Sequence, residues 1–513
     1  MVFYLTLPCP TALNISTHNL LRITVCEGST QLRAPKPFVW LLALLLPACA
    51  AVGPDYHSPS VEAPASWGEP LPHGEEEFEQ VVWWKQFNDP VLVTLVDAAR
   101  ADSPTLASAL ASIDRARANL TSVNSGFGPS LDASASRTRA RQQAMGTQLE
   151  TSTTRSAGFD ASWELDLFGK VRRNAEAAQA RVDARVDDWH DAHVSLSAEV
   201  ADTYVQYRGC TQLRKVYEQE AVSRTQTADA TRASVNAGIS SPADNALARA
   251  SLANTLSSLE GQRVQCELLL ISLVELTGVT ESRLHDLLAN EEGALPQPAT
   301  FNVDSVPAQI LRQRPDIAAL ERELAATSAE IGVAKADLYP SLSLNGSISW
   351  SASDSASGAR TWSFGPSLSI PLFDTGKRLA VLDSARASYR GAMAEWQKGV
   401  RAGIKEVENS LANLHGAGQR TEHATTAAQE YRSYFLSSEA SWKAGSISLL
   451  TLEEARRSAL SAEIQRIELL RDQVQYWIAL YNALGGGWVS TDYAAYTQRP
   501  PRSDAQAGKE SAL

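Results

Sequence analysis

The second half of this 513-residue chain repeats the first, and that duplication limits the folds open to it. Phe159–Phe168 aligns with Phe364–Phe373 at a shift of 205. Gly169-Lys170 then aligns with Gly376-Lys377, Trp189 with Trp396, Gly238 with Gly445 and Arg249 with Arg456, all at a shift of 207. Upstream, Pro104 pairs with Pro315, and Pro129-Ser-Leu with Pro340-Ser-Leu, at a shift of 211, so the length changes fall around the strand-like runs. Each half reads as a helical stretch (about Pro90 to Asn124; about Val306 to Asp337), two strand-like runs, a proline-free helical pattern (about Lys170 to Ala237; about Lys377 to Ala444) and a return helix (about Pro242 to Thr277; about Leu449 to Leu484). Gly238 and Gly445 suit the position just past a helix C-terminus, and Pro242 suits a first helical turn. The long patterns are nearly 70 residues, about 100 Å at 1.5 Å per residue, too long for a compact domain. The shorter helices, about 35 residues each, would match a long one when stacked end to end, with coiled-coil repetition supporting the length.

The strand-like runs alternate with period two. Phe159, Ala161, Trp163, Leu165 and Leu167 share one face, and Asp160, Ser162, Glu164 and Asp166 the other. Leu342, Leu344, Gly346, Ile348 and Trp350 oppose serines and Asn345, and Trp362 to Leu372 gives a third stripe. A weaker run, Leu131 to Arg141, turns cationic at Arg137, Arg139 and Arg141. Strands of about 10 residues, apolar outward and polar inward, suit an outer-membrane β-barrel; taken alone they also fit a half-buried sheet on a soluble core. Four strands leave two unpaired edges, and in hydrocarbon every backbone polar group must be satisfied, so the barrel must be shared. Three chains would give twelve strands, wide enough for an aqueous lumen.

The net charge of −12, with no basic patch, argues against nucleic acid as a partner. Apolar residues reach 44% but aromatics only 7%, which suits long, closely spaced helices. Phe38–Ala48 is the one strongly apolar run near the start, about half of what a spanning helix needs, so a polytopic helical membrane protein is excluded. Arg33 and Lys36 precede that run and Leu46-Pro-Ala-Cys49 ends it, the order of a secretory signal. The ending resembles a lipoprotein box: Cys49 would be acylated and become the first mature residue, and Ala50, which is not Asp, implies the outer membrane. Several acyl chains give a stable anchor. Residues 1 to about 31 read as lying ahead of the true start, which would remove Cys9 and Cys26.

The chain resembles the TolC-type outer-membrane factors, in the lipoprotein branch that includes OprM and NodT-like proteins. The resemblance runs from Cys49 to Trp488. Its motifs are Val52-Gly-Pro-Asp-Tyr56, Trp83-Trp-Lys-Gln-Phe-Asn-Asp-Pro90, Trp163-Glu-Leu-Asp-Leu-Phe-Gly-Lys170, Leu311-Arg-Gln-Arg-Pro-Asp316, Pro371-Leu-Phe-Asp-Thr-Gly-Lys377 and Tyr481-Asn-Ala-Leu-Gly-Gly-Gly-Trp488. It implies an α+β membrane protein, a TolC-like channel-tunnel with four strands per chain in a shared 12-strand barrel above a long-helix periplasmic α-barrel. The expected organisation is residues 1–48 removed, 49–90 a lipidated N-terminus and equatorial segment, 91–278 the first repeat, 279–305 an equatorial linker, 306–484 the second repeat, and 485–513 an equatorial tail. The implied function is the homotrimeric exit duct of a tripartite pump of the resistance-nodulation-division type, carrying drugs or small organic compounds. Its partners would be a periplasmic adaptor, an inner-membrane transporter and outer-membrane lipids. Type I protein secretion or metal-ion efflux is the alternative; three methionines and no Met/Cys/His track weaken a soft-metal relay.

By position in the family, Ala237, Gly238, Ile239 and Ser240, with Ala444, Gly445, Ser446, Ile447 and Ser448, would be adaptor-docking tips, and they also read as plain helix-turn-helix chemistry. Leu450 and Glu454 would match the Leu and acidic rings of a pore constriction, with Glu in place of the family's Asp. Three carboxylates near an axis repel unless screened or bound to cations, and such a ring can select ions; a solvated surface charge is the other reading. Cys210 and Cys266 stand 28 residues either side of Gly238, hence at nearly one height on adjacent helices, either as a disulfide or as two thiols that never meet. His190 and His193 beside Asp187 and Asp191 form a metal-like pair without a third ligand or a zinc-protease motif. With no nucleophile elbow, phosphate loop or dinucleotide fingerprint, an enzyme is not expected, and the covalent lipid on Cys49 is the only expected prosthetic group.

Overall fold

The computed structural model describes residues 51–60, 67, 80–143, 149–289, 295–296, 311, 313–354 and 356–486. The expected signal, Cys49, most of 290–312 and the tail from 487 lie outside the described residues.

Pro104 and Pro315 decide where the shorter helices begin. A residue before proline is pushed out of the helical region, and Ser103 (φ −76°, ψ 124°) and Arg314 (φ −71°, ψ 120°) are both extended. The first stretch is therefore two helices, α1 (Pro90–Asp102) and α2 (Pro104–Asn124), with Ser103 ending one and capping the next. This corrects the single 35-residue helix expected from Pro90 to Asn124. The strands β1 (Ser130–Gln143) and β2 (Leu149–Leu165) follow, then the 67-residue α3 (Lys170–Asn236), α4 (Pro242–Thr277) and α5 (Glu281–Ala289). The second half gives α6 (Pro315–Ala336), β3 (Ser341–Ser353), β4 (Ala356–Ser369), the 67-residue α7 (Lys377–Lys443) and α8 (Leu449–Ala483). None of the described helices is long and apolar enough to cross a membrane.

Both long helices start the same way. Gly169 and Gly376 take left-handed φ of 80° and 86°, and with no side chain they cannot cap. An aspartate upstream does so instead: Asp166 accepts from the N–H groups of Val171 and Arg172, both at 3.0 Å, and Asp374 from those of Gly376 and Arg378 at 3.0 and 3.2 Å. Along their length α3 packs on α2, α4, α6 and α8, and α7 on α6 and α8. The buried faces are rich in small residues, Ala177, Ala326 and Ala329 among them, which lets helix backbones approach closely.

The largest core encircles the middle of the long helices. Trp83, Trp84 and Phe87 from the turn Gln80–Phe87 meet Leu92 and Leu95 of α1, Tyr204 and Val205 of α3, Leu270 and Leu273 of α4, and Tyr481 of α8. Trp83 stacks on Tyr481 at 4.9 Å, whose hydroxyl donates to Gln86 at 2.9 Å. Asp89 caps α1 through Val91 and Leu92 and accepts from the Tyr204 hydroxyl at 2.8 Å. Arg314, buried, closes the same belt by donating to the Ala483 carbonyl (2.7 Å), Asp316 (3.0 and 2.9 Å) and Glu406 (2.7 Å). Burial opposes its charge, but these acids outweigh it and hold the guanidinium above its ordinary value.

Arg314→Ala leaves the Ala483 carbonyl and the partly exposed Asp316 and Glu406 without their donor, and should cost about 1–3 kcal/mol in denaturant unfolding. Asp187 and Asp191 on α3 are each raised to about 6, first by burial; neighbouring acids add to this, while Arg322 and Arg314 respectively oppose it. The folded chain thus holds protons between about pH 4 and 6 that the unfolded chain has lost, so their contribution to stability falls as pH rises through that window. Asp191→Asn should stabilise by about 1 kcal/mol at pH 7.5 and by almost nothing at pH 4, a difference that unfolding at the two pH values will read.

Candidate conduit and its narrow end

The four strands form one antiparallel meander in the order β1-β2-β3-β4. Directly paired residues share a face, so the register sorts the side chains. One face carries the rows Leu131–Ala161–Gly346–Phe364, Ala133–Phe159–Ile348–Trp362, Trp163–Leu344–Pro366 and Leu165–Leu342–Leu368. Within the single chain Trp362 is 79% exposed and Phe364 74%, large aromatics with nothing to bury them. The other face carries Ser130–Ser162–Asn345, Asp132–Asp160–Ser347–Ser363 and Ser134–Gly158–Ser349–Thr361. Hydroxyls bridge neighbouring strands there: Ser130 to Ser162 at 3.0 Å, Ser347 to Ser363 and Ser349 to Thr361 at 2.9 Å. The strands run 13 to 17 residues, longer than the expected ten, because their far ends (Thr151, Thr153 and Thr154 in β2) are polar on both faces and give no apolar alternation. β4 ends at Ser369, short of the expected Leu372, beside Pro371.

Where the sheet meets the helices, the segment from Val52 to Tyr56 is pinned. The Val52 N–H donates to the Phe168 carbonyl at 3.0 Å, and Arg173 on the first turn of α3 donates to the Val52 carbonyl (3.3 Å) and to Asp55 (2.7 Å). Arg173 holds the Asp55 carboxyl below the usual carboxylate range. The segment fits because Gly53, at φ +117°, passes Gly332 of α6: a Cβ on Gly53 would lie 2.5 Å from the Gly332 Cα. The Val52–Tyr56 motif is thus a strap across α3 and α6.

At the opposite end the two hairpin tips are built alike. Ala237 ends α3, Gly238 turns at φ 73°, and the N–H groups of Gly238 and Ile239 return to the Val235 and Ser234 carbonyls at 3.0 and 2.9 Å. Ala444, Gly445 (φ 75°) and Ser446 repeat this onto Trp442 and Ser441 at 2.8 and 2.9 Å. Both are Schellman closures. Ser241 and Ser448 cap the return helices, and Ser240 bonds Ser234 at 2.8 Å. Ile239 projects into solvent, 80% exposed, while Ile447 is half-buried. Leu450 and Glu454, one turn apart, share an exposed face of α8.

The buried face of that same turn holds a group that sequence reasoning missed. Arg224 of α3 donates to Glu220 and to Glu453 of α8, both at 2.6 Å, and Arg456 donates to Glu453 at 2.7 Å and to Thr227 at 2.9 Å. The Arg456 guanidinium also lies 5.2 Å from the ring centre of Phe435 on α7. Arg456 is 1% exposed and Glu453 3%, so two cations and two carboxylates neutralise one another between helices of different repeats. Burial pushes the Glu220 carboxyl up, and the two arginines oppose it. The repeat gave no warning, because Arg249, the equivalent of Arg456, is exposed.

Cys210 and Cys266 form a disulfide between α3 and α4, with Cα atoms 5.5 Å apart. The equivalent positions of the second hairpin are Ala417 and Gln473. His190 and His193 are buried: Arg100 donates to His193 at 2.6 Å, and Trp189 stacks on it at 5.3 Å. The pair is packed into the wall of helices. Cys49 lies outside the described residues.

The family described as outer membrane efflux protein matches residues 95–279 and 306–486. Nodulation protein T of Rhizobium leguminosarum bv. trifolii is 30% identical over 451 residues, 87% of this chain and 96% of that protein. The solvent efflux pump outer membrane protein SrpC of Pseudomonas putida is 29% identical over 461 residues, 87% and 97% of the two chains. The solved outer-membrane channel OprN superposes with a TM-score of 0.74 at 31% identity, covering 85% of this chain and 99% of that one. With a mostly helical chain, a four-stranded sheet and paired long helices in common with such TolC-like channels, the chain belongs to the outer membrane efflux protein family.

Proposed function

We propose that three copies of this chain close one barrel and one helical tunnel, forming a passive conduit through the outer membrane for small organic compounds. An inner-membrane transporter, reached through a periplasmic adaptor, supplies the energy. The observation that carries this reading is the sheet: one apolar face, one hydroxyl-lined face, and edge strands β1 and β4 without partner strands among the described residues. Exposed edges in hydrocarbon are prohibitively costly, and pairing β4 of one copy with β1 of the next removes them. The organic cargo is supported by the solvent efflux relative. A hydroxyl-lined lumen conducts without a dedicated binding pocket.

The tips are the regulated end. Leu450 and Glu454 face the pore axis, and the Arg224–Glu453–Arg456 network on the other side of α8 holds that helix in register against α3. The adaptor docks on the exposed Gly238–Ser240 and Gly445–Ser448 turns. Cys49 is acylated, and the lipid anchors each copy in the outer membrane.

Purified protein should behave as a trimer in detergent and give low single-channel conductance in planar bilayers; a stable monomer would contradict the shared barrel. Arg456→Leu leaves the buried Glu220 and Glu453 to share Arg224 alone and should weaken the tip by about 3–5 kcal/mol, read as a higher open probability, whereas Arg456→Leu/Glu453→Leu, which restores the charge balance, should return to near wild-type conductance. Cys49→Ser should abolish incorporation of labelled palmitate while leaving the trimer intact; retained label would place the acylation elsewhere.

A further inference from the structure

The apolar face of the sheet ends abruptly in arginine. Eight residues separate the Leu165 row from the Ala157 row, about 26 Å along a strand and about 20 Å along the axis of a barrel tilted by ~40°. That approaches the apolar band of about 25 Å on a lipid-facing barrel surface. Trp350 marks its upper limit in the row Ala135–Ala157–Trp350–Arg360, and a Cβ on Gly358 would fall 2.4 Å from the indole nitrogen, so the ring lies across that glycine. Tryptophan at this level is the usual interfacial marker. The next row toward the hairpin turns is Arg137–Arg155–Ala352, and Arg139 and Arg141 follow on the same face of β1.

Arg137 stands directly opposite Arg155, an arrangement that is unfavourable without a counter-charge. Among the described residues the only acid in ion-pair range of this cluster is Asp354, 3.9 Å from Arg155, and it is also engaged by the Thr153 N–H at 3.1 Å. The sequence of the intervening turns, residues 144–148 and Ser355, adds no charge. On the outward face, just beyond the hydrocarbon level, five exposed guanidinium groups therefore face one carboxylate among the described residues; Glu150 alternates onto the polar face. The polar face at the same height carries Ser136, Ser156 and Ser351. Cations meant for cargo would line the lumen; these line the lipid side.

The geometry points to a lipid-binding belt: Arg137, Arg139, Arg141, Arg155 and Arg360 hold phosphate-bearing headgroups of the leaflet at the hairpin-turn end of the barrel. Guanidinium forks match phosphate oxygens two at a time, and at this depth an arginine costs little to place. The inference rests on the barrel reading above.

The test uses the purified full-length trimer in neutral detergent with a diphosphorylated glucosamine glycolipid, its enzymatically dephosphorylated form and inorganic phosphate as probes, read by native mass spectrometry. Wild type should retain the phosphorylated lipid in preference to the dephosphorylated one, and less of it as salt rises. Arg139→Gln, Arg360→Gln and the pair together should each weaken retention by roughly fivefold per arginine, with Arg232→Gln, an exposed arginine on α3, as the unaffected control. Displacement by millimolar inorganic phosphate alone would assign the site to the free ion and overturn the lipid assignment. Equal retention of both lipids, or no response to the substitutions, in a protein that is trimeric and floats with bilayers would also overturn the belt. Failure of wild type to enter bilayers at all would instead overturn the barrel reading.

Discussion

Backbone hydrogen bonding at the edges of a four-stranded sheet is the constraint on which the architecture turns. A meander whose first and last strands are open, with Trp362 and Phe364 on one face and rows of hydroxyls on the other, is stable neither alone in water nor alone in lipid. On the reading proposed here, closure by identical copies satisfies the edges and encloses the serine rows in one step, while the aromatic rows meet hydrocarbon. Everything below the sheet then has to hold strands at a fixed spacing. The Asp166 and Asp374 caps do this by fixing where each long helix leaves the sheet, and the strap through Arg173 ties α3 to α6 at that junction.

The repeat makes two similar hairpins, and the structure then treats them differently. The tips use the same Schellman closure, as the shared Ala-Gly pair requires. Further up, a disulfide joins α3 to α4 while α7 and α8 have only noncovalent contacts, so only the first hairpin has its unfolded chain constrained by a covalent cross-link. Arg456 is drawn into a buried charge group on the second hairpin, whereas Arg249 stays in solvent. A buried, net-neutral ion group is a poor source of stability but a demanding one in register, since each partner left alone is costly. That property suits a contact that must be either made or broken.

The motifs of the family are structural before they are functional. Trp83, Trp84 and Tyr481 come from opposite ends of the sequence and stack within one belt, and Arg314 completes it by holding the last turn of α8. Gly53 and Gly332 are small because two backbones cross there. Such residues stand out in a sequence as fixed words with no periodic meaning, because their partners are more than a hundred residues away.

Periodicity and punctuation in the sequence were enough to determine the long helices, their glycine ends, the return helices, the two-faced strands and the pairing of halves, since each depends on neighbours within a few residues. The break at Ser103 was legible too, in the proline after it, although the surrounding helical pattern masked it. The height at which Cys210 meets Cys266 came from counting outward from a tip, but their facing one another depended on helix rotation, which no count supplies. Only the tertiary structure decided that Glu453 and Arg456 turn inward while Leu450 and Glu454 turn outward, that Arg137 stands opposite Arg155, and that the Val52–Tyr56 words form a strap. Those are relations between distant segments, set by packing and strand register, and a linear pattern does not carry them.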